Sequence, residues 1–289
     1  MEKKTYLVTH IIIMVILLRG ILMVSQTFAE TDMTPPDIHN RMYGENSSKA
    51  IIVAGGGQPS GTYRNRLWES TRTCADYAYG ALLHQGYTGD DILYLTPNTE
   101  NDGNADRTVT HENMSYAIRD WAKNADADLL LYLTGHGGNG SFRLNDREML
   151  RAEELDAWLD ELQKTMSGRL IFIYDACQSG TFLPLMTPPL GKKRIVISST
   201  ADEPARFLPM GRRAGGLSFS FQFWAHIYYG GKLNDAFFFA KDMMERFQTA
   251  LLDADGNGVG NEHSDKKLAN DILIAKKNPS VEHSFLKFR

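Results

Sequence analysis

The chain has 289 residues, 43% hydrophobic and 23% charged, a globular composition that excludes a disordered, collagen-like or low-complexity protein. Its net charge of −4 offers no basic footprint for nucleic acid. Two cysteines, Cys74 and Cys177, are too few for a disulfide scaffold or a cysteine-rich zinc module.

Lys3 and Lys4 precede an apolar run, Ile11 to Leu18, that Arg19 and Gly20 interrupt and Ile21 to Val24 resume. Thr27-Phe28-Ala29 then places small residues where an export peptidase reads. Residues 1–29 are therefore expected to be a secretory signal, with an uncleaved anchor that tethers the chain to a membrane as the alternative. Both readings export the rest of the chain, to the periplasm or beyond. Residues 30–48 are polar and proline-bearing, which suits a linker.

From residue 49 to 250, short apolar runs alternate with stretches of helical spacing. The runs are Ala50 to Ala54, Ile92 to Leu95, Leu129 to Leu133, Leu170 to Tyr174 and Ile195 to Ile197. Each suits a strand buried on both faces of a parallel sheet. The helical stretches cover about Arg72 to Leu83, Asn113 to Trp121 and Ala152 to Leu162. A further stripe, Phe219, Phe221, Phe223, Trp224, Ile227 and Tyr228, reads as a core helix. The order predicts an α/β domain: an open, mostly parallel sheet with helices on both faces. In such sheets ligands gather beyond the carboxyl ends of the strands.

The third run ends in Thr134-Gly135-His136-Gly137-Gly138-Asn139-Gly140, and the fourth in Asp175-Ala176-Cys177-Gln178-Ser179-Gly180. If these strands are neighbours, His136 and Cys177 emerge together at one sheet edge. A thiolate is a nucleophile, and a nearby imidazole can activate it and then protonate a leaving amine. The N–H groups of Gly137 and Cys177 are the natural donors to an oxyanion. The bland alternatives are a packed cysteine, a structural histidine, or a Cys74–Cys177 disulfide in an oxidising compartment. Both residues lie past their strands in glycine-containing loops, a poor choice for packing, which favours chemistry. His84, His111 and His226 lie in or beside helical stretches and are expected to be structural, as is Cys74. Gly55-Gly56-Gly57 lacks the partners of a nucleotide loop.

A strand ending in His-Gly and a second ending in acidic-Ala-Cys resemble the caspase-like cysteine peptidases, and in detail the legumain family. The histidine motif, Tyr132 to Gly140, is also similar to that of the glycosylphosphatidylinositol transamidase catalytic subunit, a legumain relative. Ile51-Ile52-Val53-Ala54-Gly55 and Cys74-Ala75-Asp76-Tyr77-Ala78-Tyr79 look legumain-like as well. The resemblance, over about residues 48–250, implies a three-layer α/β/α caspase-like fold and a thiol protease acting through a His136/Cys177 dyad. It implies an acyl-enzyme, a peptide or protein substrate, and no required cofactor. Transpeptidation through the same acyl-enzyme, or an inactive binding domain, are the alternatives. It further implies substrate-pocket positions at Asp175, Ser198 and Ser199. The legumain pocket arginine has no secure match, since Arg64 and Arg66 lie in a longer segment; asparagine specificity is not carried over.

Residues 251–289 form a C-terminal extension. It opens with Asp253-Ala254-Asp255-Gly256-Asn257-Gly258, half of a calcium loop in pattern, with Asp253, Asp255 and Asn257 as ligands. Ordinary turn formation is the competing reading.

Overall fold

The structure, a computed structural model, describes residues 48–57, 65–97, 99, 104–125 and 127–276. The signal or anchor and nearly all of the linker lie outside these. Among the described residues no helix is long and apolar enough to cross a membrane.

The five apolar runs form strands β1 (Lys49–Ala54), β2 (Ile92–Thr96), β4 (Leu129–Thr134), β8 (Leu170–Asp175) and β9 (Arg194–Ser198), with the two-residue β3 (Arg107–Thr108) beyond β2. One further strand, β12 (Leu251–Asp253), completes a seven-stranded sheet in the order β12-β9-β8-β4-β1-β2-β3. All pairings are parallel except that of β12 with β9. The expected boundary at residue 250 therefore falls inside the sheet. The first residues of the extension are short and apolar enough to pair with the open side of β9.

Side chains of successive strand residues leave opposite faces, and two cores result. Ile52, Tyr132, Ile173 and Ile197 pack beneath helices α1 (Trp68–His84), α4 (Phe219–Tyr228) and α5 (Leu233–Met244). Ile51, Leu131, Phe172 and Val196 pack against α2 (His111–Tyr116) and α3 (Ala152–Thr165). The caps have local causes. Thr110 accepts from the Asn113 N–H at the start of α2, and Ser218 from the Phe221 N–H at the start of α4, each satisfying a donor the helix itself cannot use. Beyond Tyr116, α2 widens into a π turn over Ala117–Trp121.

Arg194 is fully buried at the start of β9. It binds Asp156 Oδ1 at 2.5 Å, Asp160 Oδ1 at 2.7 Å and Gln163 Oε1 at 2.8 Å, all on α3. Such a cation is tolerable only because its donors are met.

Two small sheets flank the carboxyl edge. One is β5 (Gly137–Gly138), β6 (Ser141–Arg143) and β7 (Met149–Arg151); the other is the hairpin β10 (Leu208–Met210) and β11 (Arg213–Leu217). At the outer side of β12, Asn261 sits in the left-handed region at φ 67°. Its N–H donates to Leu252 O, its Oδ1 accepts from Leu252 N–H, and its Nδ2 donates to Ala250 O. The next outward N–H, that of Ala254, donates to Asp265 Oδ1.

Candidate active site

Strands β4 and β8 are neighbours, and their register pairs Thr134 with Asp175. His136 and Cys177 each lie two residues past that pair, so the shared edge expected from the sequence is present. Both are half-buried. Cys74 and Cys177 are both free thiols, which removes the disulfide alternative. Cys74 is buried with its Sγ 3.3 Å from Ser218 Oγ, and burial pushes its thiol well above the ordinary value.

His136 is held by a residue the sequence did not single out. Asn65, 4% exposed, donates from Nδ2 to Gly57 O at 2.7 Å, which fixes which way the amide faces. Its Oδ1 accepts from the Leu67 N–H and stands 2.7 Å from His136 Nε2. An acceptor at that position assigns the neutral proton to Nε2 and leaves Nδ1 with a free lone pair. Burial, and then the Arg143 guanidinium, push His136 below the ordinary imidazole range, so the basic form is the resting one. Gly56 makes room for the ring: at φ 90°, a Cβ there would lie 2.8 Å from His136 Cδ2.

The nucleophile turn is equally constrained. Gln178 follows Cys177 in the left-handed region, at φ 59°, an uncommon conformation for a residue with a Cβ. Its N–H donates to Glu203 O, and the Ser179 N–H to Thr200 Oγ1. On the histidine side, Gly137 pairs with Phe142 while the Arg143 N–H donates to His136 O. That is the wide pairing of an antiparallel ladder, in which the Gly137 N–H is not a rung. Gly137 also touches the nucleophile segment, since a Cβ on it would stand 2.5 Å from Cys177 O.

The three expected pocket residues lie lower. Asp175, Ser198 and Ser199 are at most 1% exposed, forming the floor beneath the Cys177 loop. Asp175 Oδ2 accepts from the Ser220 N–H in the first turn of α4, and Ser198 Oγ donates to Thr200 O.

The three other histidines weighed in the sequence make contacts away from the Cys177 turn. His84 stacks on Tyr228, His111 Nε2 stands 2.8 Å from Glu154, and His226 packs against Phe239.

The loop expected to hold calcium gains a third carboxylate. Asp253 and Asp255 come together with Asp265, because α6 (His263–Ala269) swings Asp265 back over the loop. Asn257 is occupied elsewhere: its Oδ1 accepts from Val259 N–H and its Nδ2 donates to Glu262. Both oxygens of Asp253 and of Asp265 already accept backbone N–H groups.

The layered sheet, with both motifs at the ends of adjacent strands, is a caspase-like arrangement. Residues 115–206, which carry both motifs, match the Peptidase C13 family. A putative GPI-anchor transamidase of Drosophila melanogaster is 33% identical over 67 residues, covering 23% of this chain and 19% of that protein. The GPI-anchor transamidase of Homo sapiens is 41% identical over 56 residues, covering 19% of this chain and 14% of that protein. The chain thus matches less than a fifth of the length of these relatives. The structure of caspase-1 from Spodoptera frugiperda superposes with a TM-score of 0.54 at 14% identity, covering 86% of this chain and 99% of that one. The expected fold and the resemblance to the legumain and transamidase group are borne out.

Proposed function

We propose that the protein is an exported cysteine endopeptidase that hydrolyses peptide bonds through an acyl-enzyme. One observation carries this reading: the β4–β8 register sets His136 and Cys177 at equal steps past adjacent strands, with Asn65 orienting the imidazole. Cys177 Sγ attacks the peptide carbonyl carbon while its proton passes to His136 Nδ1. The N–H groups of Gly137 and Cys177 receive the oxyanion. The C–N bond then breaks as His136 returns the proton to the leaving amine, and a thioester remains. Water, deprotonated by His136, releases the acid and restores the thiol. Every group in the cycle belongs to the chain itself, so no metal or organic cofactor is called for. Export rests on the pattern of residues 3–29 alone.

Cys177→Ala and His136→Ala test the reading in a peptide-library cleavage assay. Loss of His136 should cost on the order of 10²–10⁴ in turnover. His84→Ala, His111→Ala and His226→Ala should stay active, and a reversed pattern would overturn the assignment.

The transamidase relatives favour a second reading, in which an amine replaces water at the thioester. An added amine that diverts product without slowing thioester formation would select it; product that remains free acid would keep hydrolysis.

A further inference from the structure

A cation stands beside the imidazole and has no anion of its own. Past the Gly137–Phe142 pair, the ladder of the small sheet continues to His136 and Arg143, where the Arg143 N–H donates to His136 O at 2.9 Å. Residues directly opposite in a ladder send their side chains from the same face, so guanidinium and imidazole share one face of that sheet. The charge of Arg143 reaches the ring and opposes its protonation. Arg143 is half-buried, and among the described residues no carboxylate pairs with it. The carboxylates of its own hairpin and of the first turn of α3 are committed elsewhere. Glu148 Oε2 accepts from the His111 N–H and from Asn145 Nδ2. Asp146 faces Arg147 at 3.8 Å, Glu153 faces Arg151 at 3.9 Å, and Glu154 lies against His111.

A partly desolvated guanidinium ordinarily finds an anion. This one also lowers the basicity of the group that must take the thiol proton. An anion brought by the substrate would relieve both penalties. The direction of the chemistry says where that anion would sit. His136 returns its proton to the leaving amine, so the amine nitrogen lies within hydrogen-bond reach of the ring in that step. The Cα atoms of a hydrogen-bonded cross-strand pair are about 5.5 Å apart, within the reach of an arginine side chain. The guanidinium therefore borders the segment that departs. An extended chain advances about 3.3 Å per residue, which brings the first two residues of that segment into range.

We propose that Arg143 selects the leaving segment, taking one that carries a carboxylate within two residues after the scissile bond. This rests on the cysteine-peptidase reading above. The planar guanidinium offers a carboxylate two parallel N–H donors. The carboxylate is either an aspartate or glutamate side chain or the free end of a short leaving segment.

The test is kcat/KM for peptides that are identical up to the scissile bond, built on a sequence cleaved in the library assay. One set ends in an amide and carries Glu, Gln or Lys at the first or second place after the bond. The other has a leaving dipeptide that ends in a free acid or in an amide. Glu should exceed Gln by on the order of 10-fold at one of the two places, the scale of a hydrogen bond to a charged group, with Lys lowest. A preference confined to the free acid would make the chain end the source of the carboxylate. Arg143→Gln should bring the members of each set to one rate. Ratios within one variant cancel the change that loss of the cation makes at His136 itself. Arg147→Gln, at the exposed tip of the same hairpin, should keep the preference. Arg143→Lys, which keeps the charge, should retain part of it and serves if Arg143→Gln does not fold. Equal rates throughout both sets on the native protein, a preference for Gln or Lys, or a carboxylate preference unchanged in folded Arg143→Gln would overturn the proposal. Cys177-dependent cleavage in those cases would leave the peptidase reading standing. A library in which nothing is cleaved in a Cys177-dependent way would overturn both.

Discussion

Asn65→Asp should move the acidic limb of the pH–rate profile upward while leaving the shape of the site almost intact. The carboxylate keeps the acceptor 2.7 Å from His136 Nε2 and the bond from Leu67 N–H, but it places a full negative charge against the ring. Two unit charges about 4 Å apart at an effective dielectric of about 20 interact by about 4 kcal/mol. Carboxylate–cation contacts of this kind move a pKa by about 1–3 units. In the native protein burial and Arg143 hold the imidazole down; the new anion favours the imidazolium. At pH values between the old and new limbs the base is then protonated, and turnover falls. The same change costs stability, because the donor to Gly57 O at 2.7 Å is replaced by an oxygen facing an oxygen, at about 1–3 kcal/mol. The assay is kcat/KM against pH on protein shown to be folded by its melting transition. The whole profile is fitted rather than one limb, since interacting groups titrate as a set. A folded Asn65→Asp enzyme whose limbs coincide with the native ones would refute the claim that Asn65 orients the base.

Three further outcomes are expected. Thiol titration of the native protein should find one reactive group, Cys177, with Cys74 reacting only after denaturant, because Cys74 is buried and its thiol is pushed up; two fast thiols would contradict the packing. Gly137→Ala should destabilise by about 1–3 kcal/mol, the cost of overpacking, and cut turnover as well, since the new Cβ would stand 2.5 Å from both Cys177 O and Tyr174 Oη; native-like melting and activity would count against the contact. Burial raises Asp253 to about 6 from an ordinary value near 3.8, so the folded state holds the proton more tightly than the unfolded chain. Its contribution is fully present below pH ~4 and is lost as pH rises through ~6, a loss of about 3 kcal/mol. Asp253→Asn should flatten that part of the stability–pH curve in urea titrations; an unchanged slope would show that the carboxylate titrates normally.

The apolar runs and helical stripes were legible because burial on both faces leaves a strand no choice but Ile, Val and Leu. The strand beginning at Leu170 and the helix beginning at Ala152 stand where their patterns put them. The dyad was legible because two chemically useful residues followed two such runs. What the pattern hid depends on tertiary context. Gly137–Gly138 and Arg213–Leu217 form strands with no alternation to announce them, pinned instead by neighbouring loops. Asn65 is an ordinary polar residue until the fold carries it 71 positions to His136. Asp265 joined Asp253 for the same reason: helix α6 reverses the chain, and a spacing rule for a calcium loop cannot foresee that. Gln178 gave no sign either, since glycine or asparagine is the usual marker of its backbone conformation.

The outer side of β12 has a consequence for the protein's life among its own copies. A sheet ordinarily ends in a row of open amide and carbonyl groups that can template another strand. Here the carbonyl of Ala250, both backbone groups of Leu252 and the N–H of Ala254 are already occupied by Asn261 and Asp265. One asparagine in a left-handed turn and one aspartate do the work of a missing neighbour, and sheet growth at this end would first have to break four hydrogen bonds. The molecule is thereby guarded against fibre-like, edge-to-edge self-association at the border where its longest sheet would otherwise stay open.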